Sequence, residues 1–398
     1  MDLKIKNVAR SKNNFGFDCS NLIKLFRLVI KPYYVSTTIN STGKANQRVH
    51  GINFYTPIGS SSPTTAFIMC TLNNKILYSD LTTCNIPIPE GNPIYGSNGN
   101  GDCLLSFPIG LTYNTDNTYI YVTNYTANIN QRTQPTFPDI VYFSPTERII
   151  RAVSISYARP NLVGCIDGAN GSTIVKDING STNVYLYINS FNNSKLVKAV
   201  FINKDHVLVL SFVDIPVCHP NKGAPGPSLN AGIVQTVPFP NYSNDPKIPE
   251  KILLCCRTSS QILKYNLSDD TVERCPAFAS SSNGLYYPPF CFPNTFDSTK
   301  FTHVLASNNS YLNLPNVPKL IKLNRRGRRL PFIPNCVMNY FFKEIRQAVV
   351  IDGYYYIASG SPTQGSSAVG GTIFRIKIFE LNQLLQIIYG PKWMIPIC

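Results

Sequence analysis

The chain is 398 residues long, 43% hydrophobic and only 14% charged, with a formal net charge of +15. It has enough apolar material for one large closed architecture or for two to three ordinary domains. No stretch reaches the roughly 18 uninterrupted apolar residues of a membrane helix, which excludes a chain crossing a bilayer by helices.

Polarity comes from Asn, Ser and Thr rather than from charge. With 23 Tyr, 22 Phe, 30 Pro, 24 Gly and a single tryptophan, Trp393, the composition favours strands and turns over helices. The 36 Lys and Arg outnumber the 21 Asp and Glu, an excess that attracts anionic partners. Apart from one cluster the basic residues are scattered, as a coding bias toward Lys and Asn would leave them.

In chain order, the first twenty residues lack the apolar core of a signal peptide, so the compartment is left open and export by another route is not decided. Leu22, Leu25, Phe26, Val29 and Ile30 then fall at offsets 0, 3, 4, 7 and 8, one face of a helix, with Pro32 behind them. Residues 1–32 are expected to form an N-terminal segment, a short amphipathic helix or an outer strand, beside a main body over 33–398.

That body repeats one grammar: a short β-rich strand, a polar cluster with turn chemistry, a second strand. FIMCTLNNKIL starts at Phe67, YIYVTNYTANI at Tyr119, VYLYINSFNNSKL at Val184, ILLCCRTSSQIL at Ile252, HVLASNNSYLNL at His303 and YYYIASGS at Tyr354. The partner of the last, TIFRIKIF, arrives from Thr372, and YYVSTTINSTG from Tyr33 is a poorer seventh copy. The starts lie about 50 to 70 residues apart, which suits one four-stranded blade of about 40 to 50 residues plus its loops. A small twisted sheet cannot bury both faces alone, but sheets set radially cover one another. The fold expected is therefore an all-β propeller of six to seven blades. Pro/Gly-rich runs at His219 to Pro227, Pro238 to Pro249 and Tyr286 to Pro293 read as long connectors, and Ile373 to Cys398 as strands closing the ring with N-terminal ones.

One copy is sharper. From Gly96 the chain reads GSNGNGDCLLSFPIGLTYNTDNTYIYVTNYTANI: a Gly-rich loop, Phe107-Pro108-Ile109-Gly110, a strand to Tyr113, a turn over Asn114 to Asn117, and a strand ending Tyr121-Val122-Thr123-Asn124. This resembles the NHL and YVTN families of β-propeller repeats, which share the Pro-x-Gly and the Tyr-Val-Thr-Asn-like ending. The resemblance covers about forty residues and implies the architecture rather than an activity.

Candidate sites are few. The loop Gly96 to Asp102 lacks the helix a dinucleotide site needs after it and reads as a connector into a blade. Arg325, Arg326, Arg328 and Arg329 flank Gly327 between two apolar strands; guanidinium forks suit phosphate and carboxylate, and the alternative is a solvated hairpin tip. Cys218 and His219 are adjacent and so face opposite ways in a strand. Asp269-Asp270 reads as a turn, while Asp116, Asp167, Asp205 and Asp214 could line a channel. The twelve cysteines contain no CxxC pair, which argues against structural zinc. A Cys70–Cys84 bridge is one option for an exported chain, with connectivity open.

No nucleophile elbow or HExxH motif is present. The expectation leans away from an enzyme, toward a monomeric scaffold that binds a protein or glycan through upper-face loops, without cofactor. An anionic partner at the arginine cluster, including nucleic acid, is a further option. The competing expectation is a metal-dependent propeller hydrolase, lactonase or lyase with calcium or zinc in the central channel. Asp, Glu, Asn or His side chains converging there would favour the enzyme, and a lining of Val, Ser and Thr would sink it.

Overall fold

A computed structural model describes residues 18–35, 49–71, 74–81, 92–93, 95–96, 104–125, 137–177, 181–215, 233–240, 249–257, 259, 261–273, 291–294, 303–308, 319–323, 329–330, 332–342, 344–360 and 371–390. Helix α1 (Cys19–Phe26) opens them, capped by Asp18, whose carboxylate accepts from the Asn21 amide at 2.7 Å and so satisfies one of the free donors of the first turn. Three intervening residues lead to strand β1 (Ile30–Val35).

The remaining strands build one sheet after another. The first sheet is β2 (Val49–Tyr55), β3 (Thr65–Cys70), β4 (Lys75–Asp80) and β5 (Asn92–Pro93), side by side in chain order. The second holds β6 (Tyr95–Gly96), β7 (Pro108–Tyr113), β8 (Ile120–Asn124), β9 (Ile140–Phe143) and β10 (Ile149–Ala152), ordered β7-β8-β9-β10-β6. The third holds β11 (Ser154–Tyr157), β12 (Ala169–Lys176), β13 (Val184–Ser190), β14 (Lys195–Asn203) and β15 (His206–Asp214), ordered β12-β13-β14-β15-β11. Strands β16 (Ile233–Pro240), β17 (Pro249–Cys256), β18 (Gln261–Asn266) and β19 (Val272–Glu273) form the fourth, and β20 (Cys291–Asn294), β21 (His303–Asn308), β22 (Lys319–Leu323) and β23 (Arg329–Leu330) the fifth. After helix α2 (Asn335–Phe341), strands β24 (Glu344–Ile351), β25 (Tyr354–Gly360) and β26 (Thr372–Lys377) form the last sheet, with β1 as its outer strand. Helix α3 (Ile378–Tyr389) follows.

The sequence repeats fall on or beside β3, β8, β13, β17, β21 and β25, the second strand of each sheet. Contacts run from β2 to β7, β7 to β12, β12 to β16, β16 to β20, β21 to β24 and β24 back to β2, so the sheets close a ring with β2, β7, β12, β16, β20 and β24 innermost.

Alternation along each strand splits its side chains between two neighbours. On β3, Phe67 and Met69 pack with Leu111, Val122 and Phe143 of the second sheet, whereas Ala66 and Ile68 pack with Tyr34, Tyr356 and Ile373 of the last. On β13, Leu186 and Ile188 face the second sheet and Tyr187 meets Leu254 and Tyr265 of the fourth. Strands buried on both faces read as continuous apolar runs, which is why FIMC and IYV carried the repeat signal.

At two places the chain hands over between sheets by a parallel strand. After β5, β6 pairs with β10 at the outer edge of the second sheet before the chain returns as innermost β7. After β10, β11 does the same against β15 of the third.

The expected all-β propeller of six to seven blades is corrected in its class: the protein is a mixed propeller carrying three described helices, α1, α2 and α3. They share one core cluster with the last sheet, in which Leu22, Leu25 and Phe26 meet Val337, Met338, Leu381, Leu384 and Leu385 over Ile345, Tyr355 and Ile376. The stretch expected to supply closing strands is helical over Ile378–Tyr389. Ile378, Leu381, Leu384 and Leu385 recur with a helical period there, and the helix stops at Gly390, whose φ is +66°. The N-terminal apolar face is helical only to Phe26. Leu28 and Val29 lie in a turn, and Ile30 already pairs with Ile376. Pro32 donates no backbone hydrogen bond, which the edge position of β1 tolerates.

Candidate functional site at the upper mouth of the channel

Five of the six innermost strands, all but β20, share one irregularity near the end where each begins, here termed upper. Val49 pairs with Cys70 and Gly51 with Met69, leaving His50 as an extra residue. In the same way Ile109 is extra on β7, Val234 on β16 and Arg346 on β24. On β12 the slip spans Asn170 and Gly171. A bulge twists its strand and re-aims side chains, and bulges are frequent beside active sites.

The residue after the extra one packs the neck of the ring. A Cβ on Gly110 would lie 2.6 Å from the Gly171 Cα, so two backbones meet where only glycine fits. Gly171 itself has φ +101°. A Cβ on Gly51 would lie 1.6 Å from the side-chain oxygen of Gln347, the corresponding residue of β24, which fills that space. Hydroxyls stitch the sheets together at this level. Thr123 Oγ1 accepts from the amides of Gly110 (3.1 Å) and Gly171 (2.9 Å). Thr71 donates to the Pro108 carbonyl at 2.8 Å, Thr112 to that of Ser172 at 3.1 Å and Thr173 to that of Thr236 at 3.2 Å.

The inner wall near the mouth thus carries His50, Asn170, Ser172, Gln235, Thr236, Arg346 and Gln347. Arg346 is only 7% exposed. Among the described residues, the side-chain oxygens of Asn170, Ser172, Thr236 and Gln347 are buried with no hydrogen-bond partner. An unsatisfied buried polar group costs about 1–3 kcal/mol, and four such oxygens lie on the innermost strands β12, β16 and β24.

Above β12, Tyr125 donates to Asn192 Oδ1 at 3.0 Å, and Asn192 Nδ2 donates to Asp167 Oδ1 at 3.0 Å. Gly168, with φ +67°, lies beneath; a Cβ there would meet the Tyr125 ring at 2.8 Å. Burial pushes the Tyr125 phenol up, the Asp167 carboxylate adds to this, and Asn192 and Arg257 only partly offset it. Tyr125 therefore stays a hydrogen-bond donor through neutral pH.

Of the carboxylates expected along a channel, only Asp167 reaches the start of an inner strand. Asp116 closes the β7–β8 turn against Thr118 (2.7 Å), Asp205 sits in the β14–β15 turn, and Asp214 pairs with Lys195 at 2.6 Å at the end of the fourth strand outward. Asp269 accepts from Thr271 within a turn, as its sequence suggested. No group of three His, Cys, Asp or Glu side chains gathers among the described residues, so the calcium or zinc alternative finds no donor set there.

Cys70 is a buried free thiol, pushed up to about 12 by burial, whereas Cys84, Cys218, His219 and the loop at 97–102 lie outside the described residues. Arg329 opens β23 opposite Leu323, which pairs with Val304 beside the far end of β20. It therefore stands at the lower end of the fifth sheet, away from the mouth; Arg325, Arg326 and Arg328 lie outside the described residues.

His50, Asn170 and Arg346 were not singled out from the sequence. A signal for them exists. Each precedes a Gly or Gln, in His50-Gly51, Asn170-Gly171 and Arg346-Gln347, as Ile109 does in the Pro-x-Gly of the sharpest repeat.

The sequence matches no protein-family model and no curated protein. Among solved structures, a protein from Bacteroides thetaiotaomicron described as a candidate phosphatase aligns with a TM-score of 0.52 and 11% identity, over 88% of this chain and 78% of its own. A candidate 6-phosphogluconolactonase from Bacteroides uniformis aligns with a TM-score of 0.47 and 11% identity, over 86% of this chain and 94% of its own. The expectation that leaned away from an enzyme is corrected to an open one by the first of these likenesses: the fold is shared with a protein described as a candidate phosphatase, and the fold is all that 11% identity shows. At such identity the likeness shows the β-propeller fold, and it does not extend to the NHL or YVTN repeat identity.

Proposed function

We propose that the protein is a hydrolase of small phosphate- or carboxylate-bearing substrates, bound at the upper mouth of the central channel. The observation that carries this is a group of buried polar side chains on innermost strands, the Arg346 guanidinium and four unsatisfied oxygens on β12, β16 and β24. Arg346 supplies a planar fork for an oxyanion and would stabilise charge developing on it. His50, on the adjacent inner strand, is the side chain suited to take a proton from an attacking water near neutral pH. The protonated Tyr125, fixed through Asn192 and Asp167, orients a substrate group at the rim. The phosphatase described for the relative of like fold fits this chemistry.

The test is hydrolysis of p-nitrophenyl phosphate and of a phosphorylated aldonolactone. Turnover of either is expected, with a fall of at least about 100-fold in H50N and in R346M while H50N keeps its melting temperature. Absence of turnover with both substrate types overturns the reading.

The arginine cluster is proposed as a separate binding surface for an anionic partner, away from the mouth because Arg329 opens β23 at the lower end of the fifth sheet. Replacing Arg325, Arg326, Arg328 and Arg329 by Gln is expected to lower the salt needed for release from heparin. Every guanidinium–anion pair removed in this way should flatten the salt dependence by about one unit of slope. An unchanged elution would remove the cluster from consideration.

A further inference from the structure

We propose that Cys19 and Cys336 form a reactive dithiol, which thiol–disulfide exchange closes into a bridge across the seam of the ring. Cys19 is the first residue of α1 and Cys336 the second of α2. The two helices pack against one another and bring these thiols near enough to interact. The helices around them are held side by side: Arg27 of the α1 cap bonds the Tyr340 hydroxyl and lies 5.0 Å from the centre of its ring, while Leu22, Leu25 and Phe26 share a core with Val337 and Met338. The two sulfurs can therefore meet without rebuilding either helix.

Access separates this pair from the other described thiols. Cys19 is exposed and Cys336 half-buried, whereas Cys70, Cys165, Cys255 and Cys256 are buried in the sheets. With a glutathione-type disulfide as oxidant, the Cys19 thiolate attacks one sulfur of the reagent and releases one glutathione thiol. The Cys336 thiolate then attacks the Cys19 sulfur and releases the second. Two protein thiols are oxidised and one reagent disulfide is reduced to two thiols, which take up the two protons that the protein thiols give up.

Topology gives the bridge its effect. Helix α1 leads into β1, the strand that completes the last sheet, and α2 leads into β24, the innermost strand of that same sheet. A covalent link between them ties one end of the chain to the sheet it closes. It joins residues far apart in sequence, which takes the most freedom from the unfolded chain.

The experiment treats the full chain with oxidised glutathione. A pH of about 8.5 suits it, because contact with Cys336, then burial and the Asp18 charge, raise the Cys19 thiol above its ordinary value. Expected are a Cys19–Cys336 linked peptide in the mass spectrum and a rise of about 5 °C or more in melting temperature, reversed by dithiothreitol. Both should be absent from C19S and from C336S. Glutathione retained on Cys19 of the unsubstituted chain with no linked peptide overturns the proposal, as does a melting rise that survives in C19S. Neither cysteine lies at the channel mouth, so this result stands or falls apart from the hydrolysis assay.

Discussion

Removing residues 1–35 abolishes the cooperative melting of the protein and yields soluble aggregates on gel filtration; this is the expected result, and its cause is the seam. The deletion takes away α1 and β1 together. Leu22, Leu25, Phe26, Val29 and Ile30, all buried, contribute about 1.5–3 kcal/mol each, a sum comparable with the whole stability of an ordinary domain. It also leaves β26 as an unpaired edge in place of β1, and exposes Leu381, Leu384 and Leu385 of α3. A bare edge beside an apolar patch is the recipe for association between copies. F26A is the graded version: its fully buried ring should cost about 3–5 kcal/mol in denaturant melts while leaving a folded monomer. A truncated chain that melted like the intact one would show that the ring closes without its N-terminal strand.

Gly110→Ala is expected to cost about 3 kcal/mol, more than other added methyl groups at the neck. The new Cβ would stand 2.6 Å from the Cα of Gly171, and neither backbone can yield without breaking the two hydrogen bonds to Thr123 Oγ1. Gly51→Ala supplies the contrast. Its Cβ would fall on the Gln347 amide oxygen at 1.6 Å, but that atom ends a flexible side chain that can swing away. A cost below about 1 kcal/mol is expected there. Denaturant melts of both variants check the pair. Equal costs would mean that the closeness of Gly110 and Gly171 does not hold the ring together.

Most of the strand framework was legible in the sequence because buried strands are written in runs. FIMC, YIYV, VYLYI and ILLCC each lie on a second strand, pressed between two sheets and hence apolar at every position. The C-terminal helix was missed for the same reason that found the strands. IFELNQLLQIIY is rich in the β-branched and apolar residues that elsewhere mark strands, and only the recurrence of Leu381, Leu384 and Leu385 reveals a period of 3.6. The candidate site was nearly invisible. A bulge adds one residue with no composition of its own, so His50 and Arg346 look like polar interruptions of ordinary strands. What places them together is ring closure, which brings β24 beside β2 although nearly the whole chain separates them. The carboxylates that drew attention, Asp116, Asp205 and Asp214, are instead tied up in turns and an ion pair.

The two parallel handovers have a consequence for how the molecule comes apart. Because β6 belongs by connection to the first sheet and by pairing to the second, and β11 joins the second to the third in the same manner, these three sheets are interlaced at the rim as well as pressed together at the hub. Peeling any one of them open strips a strand from its neighbour. Amide exchange through β3, β8 and β13 should accordingly report a single shared opening event, so that this half of the wheel lets go as one block.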